Sequence, residues 1–161
     1  MSLWITLPFI LLAAICQVTF LPLVNVLGYK IDFVLVLVVA WGLLGKTGEA
    51  AVWGFVAGIF LDFTSGLPFG SHTIGLTGVG LLMRFAQGDS IRDNFLLPPA
   101  AIIAATFLYH LFLLFILTLL NPALGLSDYL VRITLPSAIL NALALPLAYL
   151  PLQWLAARRV G

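Results

Sequence analysis

Charge is absent from this chain over six stretches, at 1–29, 33–45, 50–61, 63–83, 94–127 and 133–157. An α-helix needs about 20 predominantly apolar residues to cross the ~30 Å hydrocarbon core of a bilayer. The first, fourth, fifth and sixth runs reach that length alone. Only 8% of the 161 residues are charged and 63% are hydrophobic, whereas a soluble domain carries roughly 25% charged residues. So little charge cannot cover a water-facing surface. The expected fold is an all-α integral membrane protein, one transmembrane domain over 1–161.

Runs 33–45 and 50–61 are short and flank Gly45-Lys46-Thr47-Gly48-Glu49, a tight turn carrying both signs of charge. They can be two spans, lengthened at their outer ends by 28–32 and 63–67. Or they can be a re-entrant hairpin with its tip inside the membrane. The hairpin buries Lys46 and Glu49, and an intramembrane charge costs at least ~2.5–3.5 kcal/mol. In the spanning arrangement Lys30 snorkels to the interface. Six helices are therefore expected in one bundle, at about 3–26, 31–45, 48–63, 70–87, 97–120 and 129–157. The last should be broken, because Pro136, Pro146 and Pro151 each lack a backbone donor.

With the N-terminus in the cytoplasm, Lys46, Arg84, Arg92, Arg158 and Arg159 fall inside, and Lys30 and Arg132 outside. That asymmetry follows the positive-inside rule and puts both termini in the cytoplasm. Trp4, Trp41, Trp53 and Trp154 fall towards helix ends, as interfacial anchors do. The first run lacks a positive n-region and exceeds the roughly 7–15 residues of a signal-peptide core. Leu12-Ala13-Ala14-Ile15-Cys16 loosely resembles a lipoprotein cleavage box, but Ile15 stands where a small residue is required. Cys16 reads instead as a small buried hydrophobe. As the single cysteine it excludes an internal disulfide and a cysteine-based metal cluster. A net charge of +1 without a basic stripe offers nothing to nucleic acid.

Ala50, Gly54, Gly58 and Asp62 are spaced by four and share one helix face, an arc of roughly 120°. Gly54-x-x-x-Gly58 lets another backbone approach closely, either a helix of this chain or a partner's. Asp62 ends this seam and precedes Phe63-Thr64-Ser65-Gly66-Leu67-Pro68-Phe69-Gly70. Its carboxylate can cap the following helix, or face a partner or ligand. Gly66, Pro68, Phe69 and Gly70 suit a tight, irregular connection. Gln17, Asn25, Asn141 and Gln153 are amides within spans, which fasten neighbouring helices at ~0.6–2 kcal/mol each. Asp32 opens the second helix. His110 lies mid-span beside Tyr109 and reads as a hydrogen-bonded core histidine. A proton relay needs a chain of acids and histidines. Only Asp62 and His72 could join His110, and no periodicity links them. Arg132 can pair with Asp128 four residues earlier or reach headgroups. No HExxH, GxSxG or phosphate loop is present. His72 and His110 lack the spacing of a metal pair. No enzyme and no cofactor are expected.

These pieces, in this order, resemble the MreD family of bacterial rod shape-determining membrane proteins. The residues that carry the resemblance are Gln17-Val18-Thr19-Phe20-Leu21-Pro22, Asp32, the Gly45…Gly48 turn, Gly54-Phe55, Gly58-Ile59-Phe60-Leu61-Asp62, Gly66 and Gly70. Asn141 and Pro146 extend it into the last span. Ile31 replaces the proline that usually precedes the family's aspartate. The resemblance implies a non-enzymatic inner-membrane component of the elongation machinery that binds MreC and supports lateral peptidoglycan synthesis. MreB, RodZ, the glycosyltransferase RodA and a class B penicillin-binding protein complete the implied assembly. It also implies a fold similar to the six-helix substrate-binding subunit of energy-coupling-factor transporters. From that fold comes a second reading, a small-molecule-binding subunit of a vitamin-type transporter, with Asn25, Asp62 and His72 as its polar groups.

Overall fold

A computed structural model describes residues 3–20, 22–23, 28–44, 48–86, 96–122 and 125–157. Asn25, Lys46, Arg92, Arg158 and Arg159 lie outside the described residues. The described chain is helical: α1 (Leu3–Thr19), α2 (Phe33–Leu44), α3 (Glu49–Thr64), α4 (Ser71–Leu82), α5 (Leu97–Leu120) and α6. The last comprises an α stretch Leu126–Tyr129, a π stretch Leu130–Thr134 and an α stretch Leu135–Ala157.

A short, wholly apolar helix occupies the centre. Every residue of α2 from Val34 to Leu43 is buried, and α2 touches α1, α3, α4, α5 and α6. A helix that is apolar all round has no face to give to water or polar groups, so it goes to the middle. This overturns part of the interfacial assignment of the tryptophans. Trp41 and Trp53 are buried and stack with ring centroids 4.8 Å apart. Trp41 Nε1 donates to Glu49 Oε2 at 3.0 Å, which satisfies the indole where the α2–α3 turn begins. Trp154 is exposed, as an anchor should be.

Helix lengths differ from the expected set. Leu97–Leu120 and Ser127–Trp154 are long and apolar enough to cross a membrane. The 12 residues of α2 and of α4 extend only about 18 Å each at 1.5 Å per residue. α4 ends at Leu82 and gives way to turns at 83–86, short of the expected 87. Their first turns must therefore find hydrogen-bond partners inside the protein.

α6 does not break at its prolines. It runs through Pro146 and Pro151, both exposed, and its irregularity is the π stretch before Pro136. Leu135 N–H donates to Leu130 O, five residues back. Pro136 has no N–H for the Arg132 carbonyl and its ring crowds that carbonyl. One widened turn relieves the crowding without ending the helix.

α3 and α4 form the most intimate pair. A Cβ on Gly54 would lie 2.4 Å from the Leu76 carbonyl oxygen, and one on Gly58 would lie 2.5 Å from Thr73 Cα. A Cβ on Gly80 would meet Ala50 and Ala51 backbone at 2.6 Å. The two helices are thus antiparallel and touch backbone to backbone. α4 of the same chain fills the Gly54/Gly58 face.

Candidate functional site

The structure brings the scattered polar residues of the sequence to two helix N-termini. At the first, α4 begins after Gly70, whose φ of 102° places it in the left-handed region that favours glycine. Asp62, 5% exposed near the end of α3, turns its carboxylate onto the start of α4. It accepts from Gly70 N at 2.9 Å, His72 N at 2.7 Å and Thr73 N at 3.1 Å. The Thr73 hydroxyl donates to the same carboxylate. Ser71 N donates to the Pro68 carbonyl at 3.2 Å. All the backbone donors from 70 to 73 are paired, and a negative charge sits against the positive end of α4. Asp62 is therefore a cap delivered from the preceding helix. Gly66 and Phe69, in the connecting loop, are exposed.

At the second site, α2 begins within the bundle and is capped from two other helices. Gln17 Oε1 of α1 accepts from Val34 N at 2.7 Å. Asn141 Oδ1 of α6 accepts from Asp32 N at 2.9 Å. The Asn141 amide donates to Asp32 Oδ2 at 3.3 Å and to Thr106 Oγ1 at 3.1 Å. His110 Nε2 of α5 lies 2.9 Å from Asp32 Oδ2. Its Nδ1 lies 3.3 Å from Thr134 Oγ1 in the π stretch. So Gln17, Asp32, His110 and Asn141, separate fasteners in the sequence, form one network joining α1, α2, α5 and α6.

A third contact bridges the two caps. His72 Nδ1 and the Tyr109 hydroxyl lie 2.6 Å apart, and the next residue, His110, belongs to the α2 network. Sequence reasoning missed this bridge and the roles of Thr73, Thr106 and Thr134. Part of it had a signal. Thr106 is one turn before His110 on the same helix face, and Thr134 and Asn141 are seven residues apart. The His72–Tyr109 contact joins different helices and had none. Arg132 Nε lies 3.7 Å from Asp128 Oδ1, with both side chains exposed; such a pair contributes little.

Among the described residues, no buried side-chain nitrogen or oxygen lacks a partner, and no three His, Cys, Asp or Glu side chains converge as metal ligands. The network's hydrogen bonds fasten α1, α2, α5 and α6 to one another. Their strength can be measured. Asn141→Leu removes the acceptor of Asp32 N–H and the donor to Thr106 together. The expected loss is about 2–3 kcal/mol, read as a lower unfolding midpoint of the detergent-purified protein. His110→Gln, which can keep one bond, should lose less than half of that.

The family model described as rod shape-determining protein MreD matches residues 1–158. No curated protein and no solved structure matches the chain. The match covers both capped helix ends and the glycine seam between α3 and α4, and the chain belongs to the MreD family, membrane proteins with a role in rod shape determination.

Proposed function

We propose that this chain is a non-enzymatic scaffold of the rod complex. It would bind MreC in the inner membrane and link it to lateral peptidoglycan synthesis, within the wider assembly of RodA, a class B penicillin-binding protein, MreB and RodZ. In this reading six helices form one transmembrane domain. Both termini are cytoplasmic, and the capped ends of α2 and α4 face the outer side. The overall shape would be similar to a transporter's substrate-binding subunit.

The observation that carries the reading is that every buried side-chain nitrogen and oxygen among the described residues has a partner. Groups poised for catalysis or for a polar ligand keep some hydrogen-bonding capacity directed at the reactant. Here Asp32, Asp62, His110 and Asn141 direct theirs at other helices of the chain. An interior whose polar groups tie its helices to one another holds a defined shape, and a defined shape suits docking.

The contact surface moves accordingly. Gly54 and Gly58 act through the α3–α4 seam, which leaves the outer connection as the place for a partner. Phe63 and Phe69 stand 74% and 64% exposed there, with ring centroids 5.1 Å apart. Aromatic anchors of this kind concentrate binding energy at interfaces. The double variant Phe63→Ser/Phe69→Ser removes no buried contact. It should insert and melt like wild type while MreC co-purification falls about tenfold or more, taking at least ~1.4 kcal/mol for a lost aromatic anchor. Undiminished co-purification removes this surface from the proposal. A metabolite recovered with the protein, and no MreC, would favour the transporter-type reading.

A further inference from the structure

An apolar groove of about 460 Å³ runs between α1 and α6 over α2. Phe9 on α1 and Phe20 just past its end form one wall, Ala144 and Ala148 of α6 the other, and Phe33 and Leu37 of α2 the floor. The two alanines make the hollow, since larger residues there would close it. Leu147 on its rim and Leu143 one turn earlier on α6 are exposed, so the groove opens on an apolar surface.

An apolar hollow gives water no partners, and left empty its walls forfeit dispersion contacts. The occupant is therefore hydrocarbon. The groove is open on the bundle surface, which admits a thin flexible chain. Its charge surroundings identify the headgroup. Ile31 lines the groove, and the preceding residue, Lys30, is exposed, with no ion-pair partner among the described residues. The adjacent carboxylate, Asp32, is engaged by His110 and Asn141. A cation with no carboxylate committed to it thus stands next in the chain to a lining residue of the groove.

We propose that this groove holds an acyl chain of an anionic phospholipid, with Lys30 holding the phosphate. The test is native mass spectrometry of the full chain, released from mild detergent after exchange into mixed phosphatidylglycerol and phosphatidylethanolamine. Wild type should retain one phosphatidylglycerol in preference to phosphatidylethanolamine. Lys30→Gln, a change at an exposed position, should reduce that preference about fivefold, the factor one lysine contributes beside an anionic surface. Ala144→Phe, which fills the hollow, should lower total retained lipid. Were Ala144→Phe to fail to fold, the Lys30→Gln comparison decides alone. An unchanged headgroup preference in Lys30→Gln overturns the proposal. So does retention of a polyprenyl phosphate in place of phospholipid, or crosslinking that puts a partner helix in the groove.

Discussion

Asp62→Ala is expected to give the largest loss of stability of any single side-chain truncation in this protein, about 4 kcal/mol or more. Four donors meet this carboxylate: Gly70 N, His72 N, Thr73 N and Thr73 Oγ1. A hydrogen bond to a charged acceptor contributes about 1.5–3 kcal/mol, and a buried donor left without its acceptor costs about 1–3 kcal/mol. The terms are not additive, because α4 can fray and expose its first turn. Four bonds at the lower ends of these ranges come to about 4–6 kcal/mol, the level that single substitutions seldom reach. The first turn of α4 should also exchange its amide hydrogens faster, while α5 keeps its protection. Thr73→Val removes one bond of the four and should cost about 1.5–3 kcal/mol. Asp62→Asn keeps one oxygen but sets an amide donor against backbone donors, so its loss falls between the two. An Asp62→Ala protein that melts within ~0.5 kcal/mol of wild type, the range of an ordinary surface change, would contradict the capping account.

The membrane class of the fold follows from the charge gaps, and α5 begins and ends where its apolar run predicts. Periodicity locates an apolar face, and it identified Ala50, Gly54, Gly58 and Asp62 as one stripe. It does not say what lies against that face. The same spacing fits a partner's helix as well as α4, and only the Leu76 and Thr73 backbone positions settle the occupant. The amides show a second limit. In the sequence, Gln17 and Asn141 are polar residues inside apolar segments, and each calls for a partner. That both cap α2 follows from how α1 and α6 pack beside its first turn. No local pattern in residues 33–44 signals how far its first turn lies from water. Pro136 shows a third. A proline announces a missing donor, but neighbouring packing decides whether the helix breaks or widens by one residue. Here the widened turn supplies Thr134 to His110.

Filling the glycine seam should be the second large perturbation, and it separates packing from partner binding. Gly54→Leu or Gly58→Leu puts a side chain where the α4 backbone already lies, with Cβ contacts of 2.4–2.5 Å. Backbone cannot turn aside as a flexible side chain can, so α3 and α4 must separate. Overpacking a core costs typically 1–3 kcal/mol and occasionally more; against backbone the expectation is about 3 kcal/mol or more. Gly58→Ala should already show a loss, because the clash begins at Cβ. Gly78 is the control, since a Cβ there meets nothing within 4 Å. Gly78→Ala lies inside α4, where alanine is favoured over glycine by about 0.8–1.0 kcal/mol, and it should raise the melting midpoint. Opposite signs at two glycines of one hairpin would show that the seam, and not glycine content, holds α3 to α4. If Gly58→Leu instead kept the wild-type midpoint and lost MreC, the seam would be a docking face after all. Loss of the proposed MreC co-purification together with a lowered midpoint assigns the defect to the fold, and leaves Phe63 and Phe69 as the proposed contact.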